Sequence, residues 1–144
     1  DTEDKNNKEG RRVMRYLLDT NVIIDFLRGE PGVVSHLREA TLQECCMTDI
    51  TLYELYYGAY LSSSGEKAVA QIDSLASAIG VLSTGNYMKE AASQKARLKA
   101  EGNLIEDFDI FIGAAAKVND LTLVTNNLKH MVHLKGVSID NWRC

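Results

Sequence analysis

Five short apolar runs, at residues 15–19, 44–48, 80–82, 121–124 and 137–139, are separated by longer stretches with helical patterning. That alternation is the strongest constraint on the fold. Strands and helices in strict succession, joined by short loops, build right-handed βαβ units, which assemble into a parallel sheet between two layers of helices. The expected architecture is therefore an α/β domain of three layers, α/β/α, with a central, mostly parallel sheet. Local signals place the helices. Thr20 can cap a helix that runs to Leu27 and stops at Gly29. Pro31 suits the first turn of another that runs to Ala40. Thr48 or Asp49 can cap a helix to Leu61, with further helices over 66–78, 86–101 (ended by Gly102), 107–119 (capped by Asp107) and 126–134.

The chain has 144 residues, 45 % hydrophobic and 25 % charged, enough apolar material for one core and one domain. Residues 1–13 hold few apolar side chains and balance acids against bases. They are expected to be a disordered extension or a vector-derived tail, with the folded domain spanning 14–144 and Met14 as its natural start. No apolar run nears the roughly 18–20 residues of a membrane span, and no signal peptide is recognisable. Cys45 and Cys46 are neighbours in an expected strand, so they point to opposite faces; Cys144 is terminal. Without metal-ligand spacing, these cysteines suit buried thiols in a reducing cytoplasm. The net charge of −4 argues against a protein that coats nucleic acid generically. It does not argue against a nucleic-acid enzyme, because a bound cation inverts the local sign.

Three carboxylates stand out against this background. Asp19 ends the apolar run Tyr16-Leu17-Leu18, Glu54 lies within Leu52–Tyr57, and Asp109 opens Ile110–Ala116. Ionised carboxylates are almost never buried without a partner. Ligands of an open parallel sheet bind at the carboxyl ends of its strands. Asp19-Thr20-Asn21 and Thr125-Asn126-Asn127 both follow strands directly and share that rim. Asp109 falls in the first turn of a helix at the same end. Glu54 shares a helical stripe with Ile50, Tyr57 and Leu61, which is expected to face inward. One acidic pocket holding a divalent cation accounts for all three acids. Each also has a plainer reading: Asp19 as a helix cap, Asp109 as a partner of the helix dipole, Glu54 as half of a buried ion pair. Asp49, Asp73 and Asp120 read as ordinary caps or solvated faces.

Four segments in order, Met14–Ile24, Thr48–Gly58, Asp109–Ala115 and Leu123–Asn127, together with the closing Val137–Trp142, resemble the motifs of PIN-domain ribonucleases. Within that family they are most similar to the VapC-type toxins of type II toxin–antitoxin modules, and the resemblance spans 14–144. It implies Asp19, Glu54 and Asp109 as the catalytic, metal-binding acids, with Asn21, Thr48 and Thr125 as polar supports. Many PIN domains carry a fourth acid where this chain has Asn127, which implies a weaker second-metal site. Hard carboxylate oxygens select Mg²⁺ or Mn²⁺. The implied activity is endonucleolytic cleavage of RNA by metal-activated water, leaving 5′-phosphate and 3′-hydroxyl ends. The implied partners are a VapB-type antitoxin and a second copy of the chain. Lys95, Arg97 and Lys99 are candidate phosphate contacts, or simply a solvated helix face. The Tyr53, Tyr56, Tyr57 and Tyr60 cluster makes its helix apolar nearly all round, as core packing or an interface would require.

Two other readings compete. A PIN-like scaffold that binds RNA without cutting it keeps the fold and drops the chemistry. A receiver-like or phosphatase domain would use Asp19 as phosphoacceptor. It lacks the second aspartate two residues on, where Asn21 stands, and leaves Glu54 without a role.

Overall fold

A computed structural model describes residues 13–143; the expected tail, save Val13, and Cys144 lie outside them. The elements run β1 Tyr16–Leu18, α1 Thr20–Leu27, α2 Pro31–Ala40, β2 Cys45–Thr48, α3 Asp49–Leu61 and α4 Gly65–Ala78. They continue as β3 Gly80–Leu82, α5 Met88–Glu101, α6 Asp107–Val118, β4 Thr122–Val124, α7 Leu128–Met131 and β5 Ser138–Asp140. Short 3₁₀ turns at Leu42–Glu44 and Thr84–Asn86 precede β2 and α5. The five strands form one sheet in the order β3-β2-β1-β4-β5, with every pairing parallel.

The sheet is buried on both faces, and neighbouring strand residues serve opposite layers because side chains alternate across a strand. Leu17, Cys46 and Leu123 are in register and pack with Leu98, Ile110, Ile112 and Met131 of α5, α6 and α7. Leu18, Cys45, Met47 and Val124 face the other way, onto Val22, Ile23, Val33, Leu55, Ile72 and Trp142. The two cysteines thus do point apart, and burial pushes the Cys45 thiol up to about 12. Among the described residues no helix is long and apolar enough to cross a membrane.

Local chemistry ends the helices. α5 stops at Gly102, whose φ of +74° is cheap only for glycine. α1 begins from Asp19, not Thr20: the Asp19 carboxylate accepts from the Thr20 amide, and Thr20 is the first helical residue. α6 begins after Glu106 with no side-chain cap. The expected cap, Asp107, instead pairs with Lys95 at 2.8 Å. The helix expected over 126–134 shortens to Leu128–Met131, and Asn126 and Asn127 remain in the loop. Tyrosines surround α3, so its pattern had no single apolar phase. Its buried residues are Thr51, Leu55 and Ala59, whereas Tyr57 and Leu61 are exposed, contrary to the stripe expected with Glu54.

The C-terminal segment closes the molecule. Trp142 is buried, stacked on His36 and edge-on to Tyr16. A Cβ on Gly32 would sit 2.6 Å from the Trp142 carbonyl oxygen, so only glycine lets α2 meet this strand of backbone. Arg143 then reaches across to α1 and grips both oxygens of Asp25, at 2.7 and 2.8 Å.

Candidate active site

The chain order β3-β2-β1-β4-β5 sends the connection leaving β1 to one side and the connection leaving β4 to the other. The crevice between the carboxyl ends of β1 and β4 is therefore the switch point of the sheet, where ligands of such folds bind. Asp19 directly follows β1 and Thr125 directly follows β4. They meet there: the Thr125 hydroxyl donates to Asp19 Oδ2 at 2.7 Å, while the Thr20 amide donates to Oδ1 at 2.8 Å. The Asn127 amide N–H donates to the Thr125 oxygen at 2.9 Å, which holds the loop after β4 against the pocket.

Asp109 enters from the first turn of α6 and is half-buried. The Asn127 side-chain amide donates to its Oδ2 at 3.1 Å, and His130 Nδ1 lies 3.5 Å from the same oxygen. Glu54 enters from α3, half-buried at the edge of the packed stripe. Its Oε1 accepts from the Thr20 hydroxyl at 2.6 Å. The Thr51 hydroxyl lies 3.0 Å from the Thr20 oxygen. Each hydroxyl has one proton, and Thr20 spends its own on Glu54, so Thr51 is the donor in that second contact.

The electrostatics set these acids apart. Burial pushes the Asp19 carboxyl above its ordinary range; the Thr125 and Thr20 hydrogen bonds oppose this, and the charges of Asp109 and Glu54 add to it. Burial also raises Asp109, against the pull of His130 and Asn127. Among the described residues, the strongest influences on these two carboxyls include no lysine or arginine. The donors are hard oxygens with unmet negative charge, so in kind they fit a small divalent cation. Their placement is looser than expected. Among the described residues, no three acidic, histidine or cysteine side chains stand close enough together to form a ready-made ligand set. Glu54 is held by the Thr20 hydroxyl.

The other expected site residues divide. Thr125 and Asn127 line the pocket. Thr48 is buried one step away and caps α3 by accepting from the Thr51 amide at 3.1 Å. Asn21 is exposed on α1. Lys95 is held by Asp107, and Arg97 by Glu101 at 2.6 Å, by Gln94 and by the His133 carbonyl, so neither cation is idle; Lys99 is exposed. Asp49 is more than a solvated cap. It accepts from the Thr84 amide and hydroxyl and from Tyr87, tying α3 to the turn before α5. Thr20, Thr51 and His130 escaped sequence reasoning. Thr51 stands three residues before Glu54, a spacing that shares one helix face, whereas Asn127 lies in the loop before α7 and gives His130 no such signal.

Comparison with known proteins identifies the family. The PIN domain model matches residues 16–134. Ribonuclease VapC2 of Haemophilus influenzae is 32% identical over 134 residues, covering 90% of this chain and 99% of that protein. The tRNA(fMet)-specific endonuclease VapC of Shigella flexneri is 30% identical, with the same coverage. Among solved structures, DNA-bound VapBC from Salmonella typhimurium superposes with a TM-score of 0.84 at 27% identity, covering 90% of this chain and 98% of that one. VapBC-1 from nontypeable Haemophilus influenzae gives 0.81 at 26% identity, covering 91% and 100%. With this match along most of its length, the chain belongs to the PIN-domain family, in the branch that holds the VapC ribonucleases.

Proposed function

We propose that this chain is a divalent-metal-dependent endoribonuclease, the toxin of a toxin–antitoxin pair, working in the cytoplasm. The observation that carries this reading is the approach of Asp19, Asp109 and Glu54 at the β1–β4 crevice, where burial raises Asp19 and Asp109 and His130 alone, among the strongest influences from the described residues, offers either of them positive charge. Asp19 and Asp109 would hold Mg²⁺ or Mn²⁺, with Glu54 as the third acid. When bound, such an ion neutralises charge on a phosphodiester and lowers the pKa of its water. The chain's own groups then have distinct tasks. Thr125 and the Thr20 amide fix Asp19 by its two oxygens. Thr20 orients Glu54, whose carboxylate can take the proton of the attacking water. Asn127 donates toward Asp109 and can equally donate to a phosphate oxygen. In-line attack at phosphorus with departure of the 3′ oxygen leaves 5′-phosphate and 3′-hydroxyl ends.

A cleft of about 290 Å³ runs beside Glu54, lined by Ile24, Leu27, Leu55, Ala59 and Ile72. Its apolar walls, with Glu54 and Arg28 also in the lining, suit an antitoxin segment with apolar side chains; the fold resembles solved VapBC structures. Exposed Tyr53, Tyr57 and Tyr60 on α3, with Phe108 edge-on to Tyr53, suit the face of a homodimer. Residues 1–13 would then be an extension to the domain. The test is direct: purified chain with single-stranded RNA and Mn²⁺ should give 5′-phosphorylated fragments, and chelator or Asp19→Asn should abolish them. Binding of RNA with no cleavage under any divalent ion would favour the non-catalytic scaffold.

A further inference from the structure

The loop after β4 carries a feature that the proposed metal site does not require. The Asn127 side-chain nitrogen has two N–H bonds and two acceptors: Asp109 Oδ2 and His130 Nδ1, each at 3.1 Å. With its proton on Nε2, His130 accepts at Nδ1 and turns a nitrogen lone pair toward the Asp109 carboxylate; with Nδ1 protonated it pairs with that carboxylate instead, and a bound cation would select the first form. The two acceptor atoms stand 3.5 Å apart, with the positive amide edge filling the gap between them. Two donors at that separation can both reach one ion through bonds of about 2.0–2.2 Å. Turning the Asn127 amide over would replace its two N–H groups with an oxygen and present three donors, two oxygens and one nitrogen, to the same point. His130 is half-buried and Asp109 has part of its surface in solvent, so an ion can enter.

We infer that His130, with Asp109 and Asn127, forms a nitrogen-containing half-site that makes this chain select a transition-metal ion over Mg²⁺. The inference rests on the metal reading above and adds the selectivity. Carboxylate and amide oxygens alone bind Mg²⁺ and Mn²⁺ alike, whereas an imidazole favours the softer ion.

The test uses the full metal-free chain and Mn²⁺ as probe, read by calorimetry and by pulsed electron paramagnetic resonance. Bound Mn²⁺ should show the coupling of a directly ligated imidazole nitrogen. That coupling should vanish in His130→Ala and His130→Gln and persist in His133→Ala, the neighbouring exposed histidine. Loss of the ligand should weaken Mn²⁺ binding about 10-fold or more and leave Mg²⁺ binding nearly unchanged. Absence of nitrogen coupling in the parent, or an equal Mn²⁺-to-Mg²⁺ preference in parent and His130→Ala, overturns the inference. The two readings fail differently. If Asp19→Asn and Asp109→Asn lose Mn²⁺ while His130→Ala keeps it in full, only the His130 assignment falls. If none of the three alters Mn²⁺ binding, the metal reading falls with it.

Discussion

Two sets of acids share this domain, Asp25 and Asp49 in one and Asp19 and Asp109 in the other, and the fold treats them oppositely. Asp25 is clamped by both arms of Arg143 and by the Asn126 amide, and Arg143 first among these holds its carboxyl below the ordinary range. At Asp49, burial is outweighed by three hydrogen bonds from Thr84 and Tyr87, with the same net lowering. Asp19 and Asp109 are raised instead. The loop 125–127 touches both worlds: Thr125 and Asn127 serve the raised pair, and Asn126 between them serves the lowered one. A domain that neutralises its structural acids this thoroughly has the means to neutralise the others. The difference singles out Asp19 and Asp109 as the acids that the proposed cation would neutralise.

The largest expected effect separates the sets by activity. Asp19→Asn or Asp109→Asn should lower RNA cleavage at least on the order of a hundredfold, with circular dichroism unchanged. Asp25→Asn should leave most cleavage per folded molecule. Equal losses in a fragment assay would erase the distinction.

Stability should rank the same residues in reverse. Asp25→Ala strands the Arg143 guanidinium and the Asn126 amide, so its melting temperature should fall by several degrees. Arg143→Ala should fall at least as far, since it leaves the buried Asp25 carboxylate with the Asn126 amide alone. A scanning calorimeter reads both, and an unchanged Asp25→Ala midpoint would break the account of the clasp.

Titration sharpens the comparison. Asp25 and Asp49 hold protons less readily folded than unfolded, so their stabilisation is present above the ordinary carboxylate pKa and is lost as pH falls through their lowered values. Asp19 and Asp109 hold protons more readily when folded, so the destabilisation they cause near neutrality is relieved as pH falls through their raised values. The metal-free parent should therefore gain stability on mild acidification before losing it in stronger acid, and Asp19→Asn should show a smaller initial gain in thermal melts across pH. The smallest effect is expected at Asn127→Asp. It adds a hard anionic donor and should tighten Mn²⁺ binding in calorimetry; no change in metal affinity or cleavage rate would place Asn127 outside the site.

Much of this was legible in the sequence. Leu17 and Leu18, Cys45 and Cys46, and Leu123 and Val124 read as strands buried on two faces, and they are. The position of Asp19 and Thr125 on one rim followed from strand ends alone. The helix face of Glu54 did not, because tyrosines on every side of α3 hide its phase. Which hydroxyl would answer Glu54 was also hidden: Thr20 comes from 34 residues away, and only tertiary packing brings it there. His130 was invisible for the same reason, since nothing local shows that α7 turns it toward Asp109.

The most direct test of the central claim is a pair of melting curves for the parent and Asp19→Asn, in chelator and in excess Mn²⁺. If Asp19 is an uncompensated acid that awaits a cation, Asn at this position should melt higher than the parent in chelator, and Mn²⁺ should reverse the order by stabilising the parent alone. A parent that gains nothing from Mn²⁺ and already outlasts Asp19→Asn in chelator would contradict it.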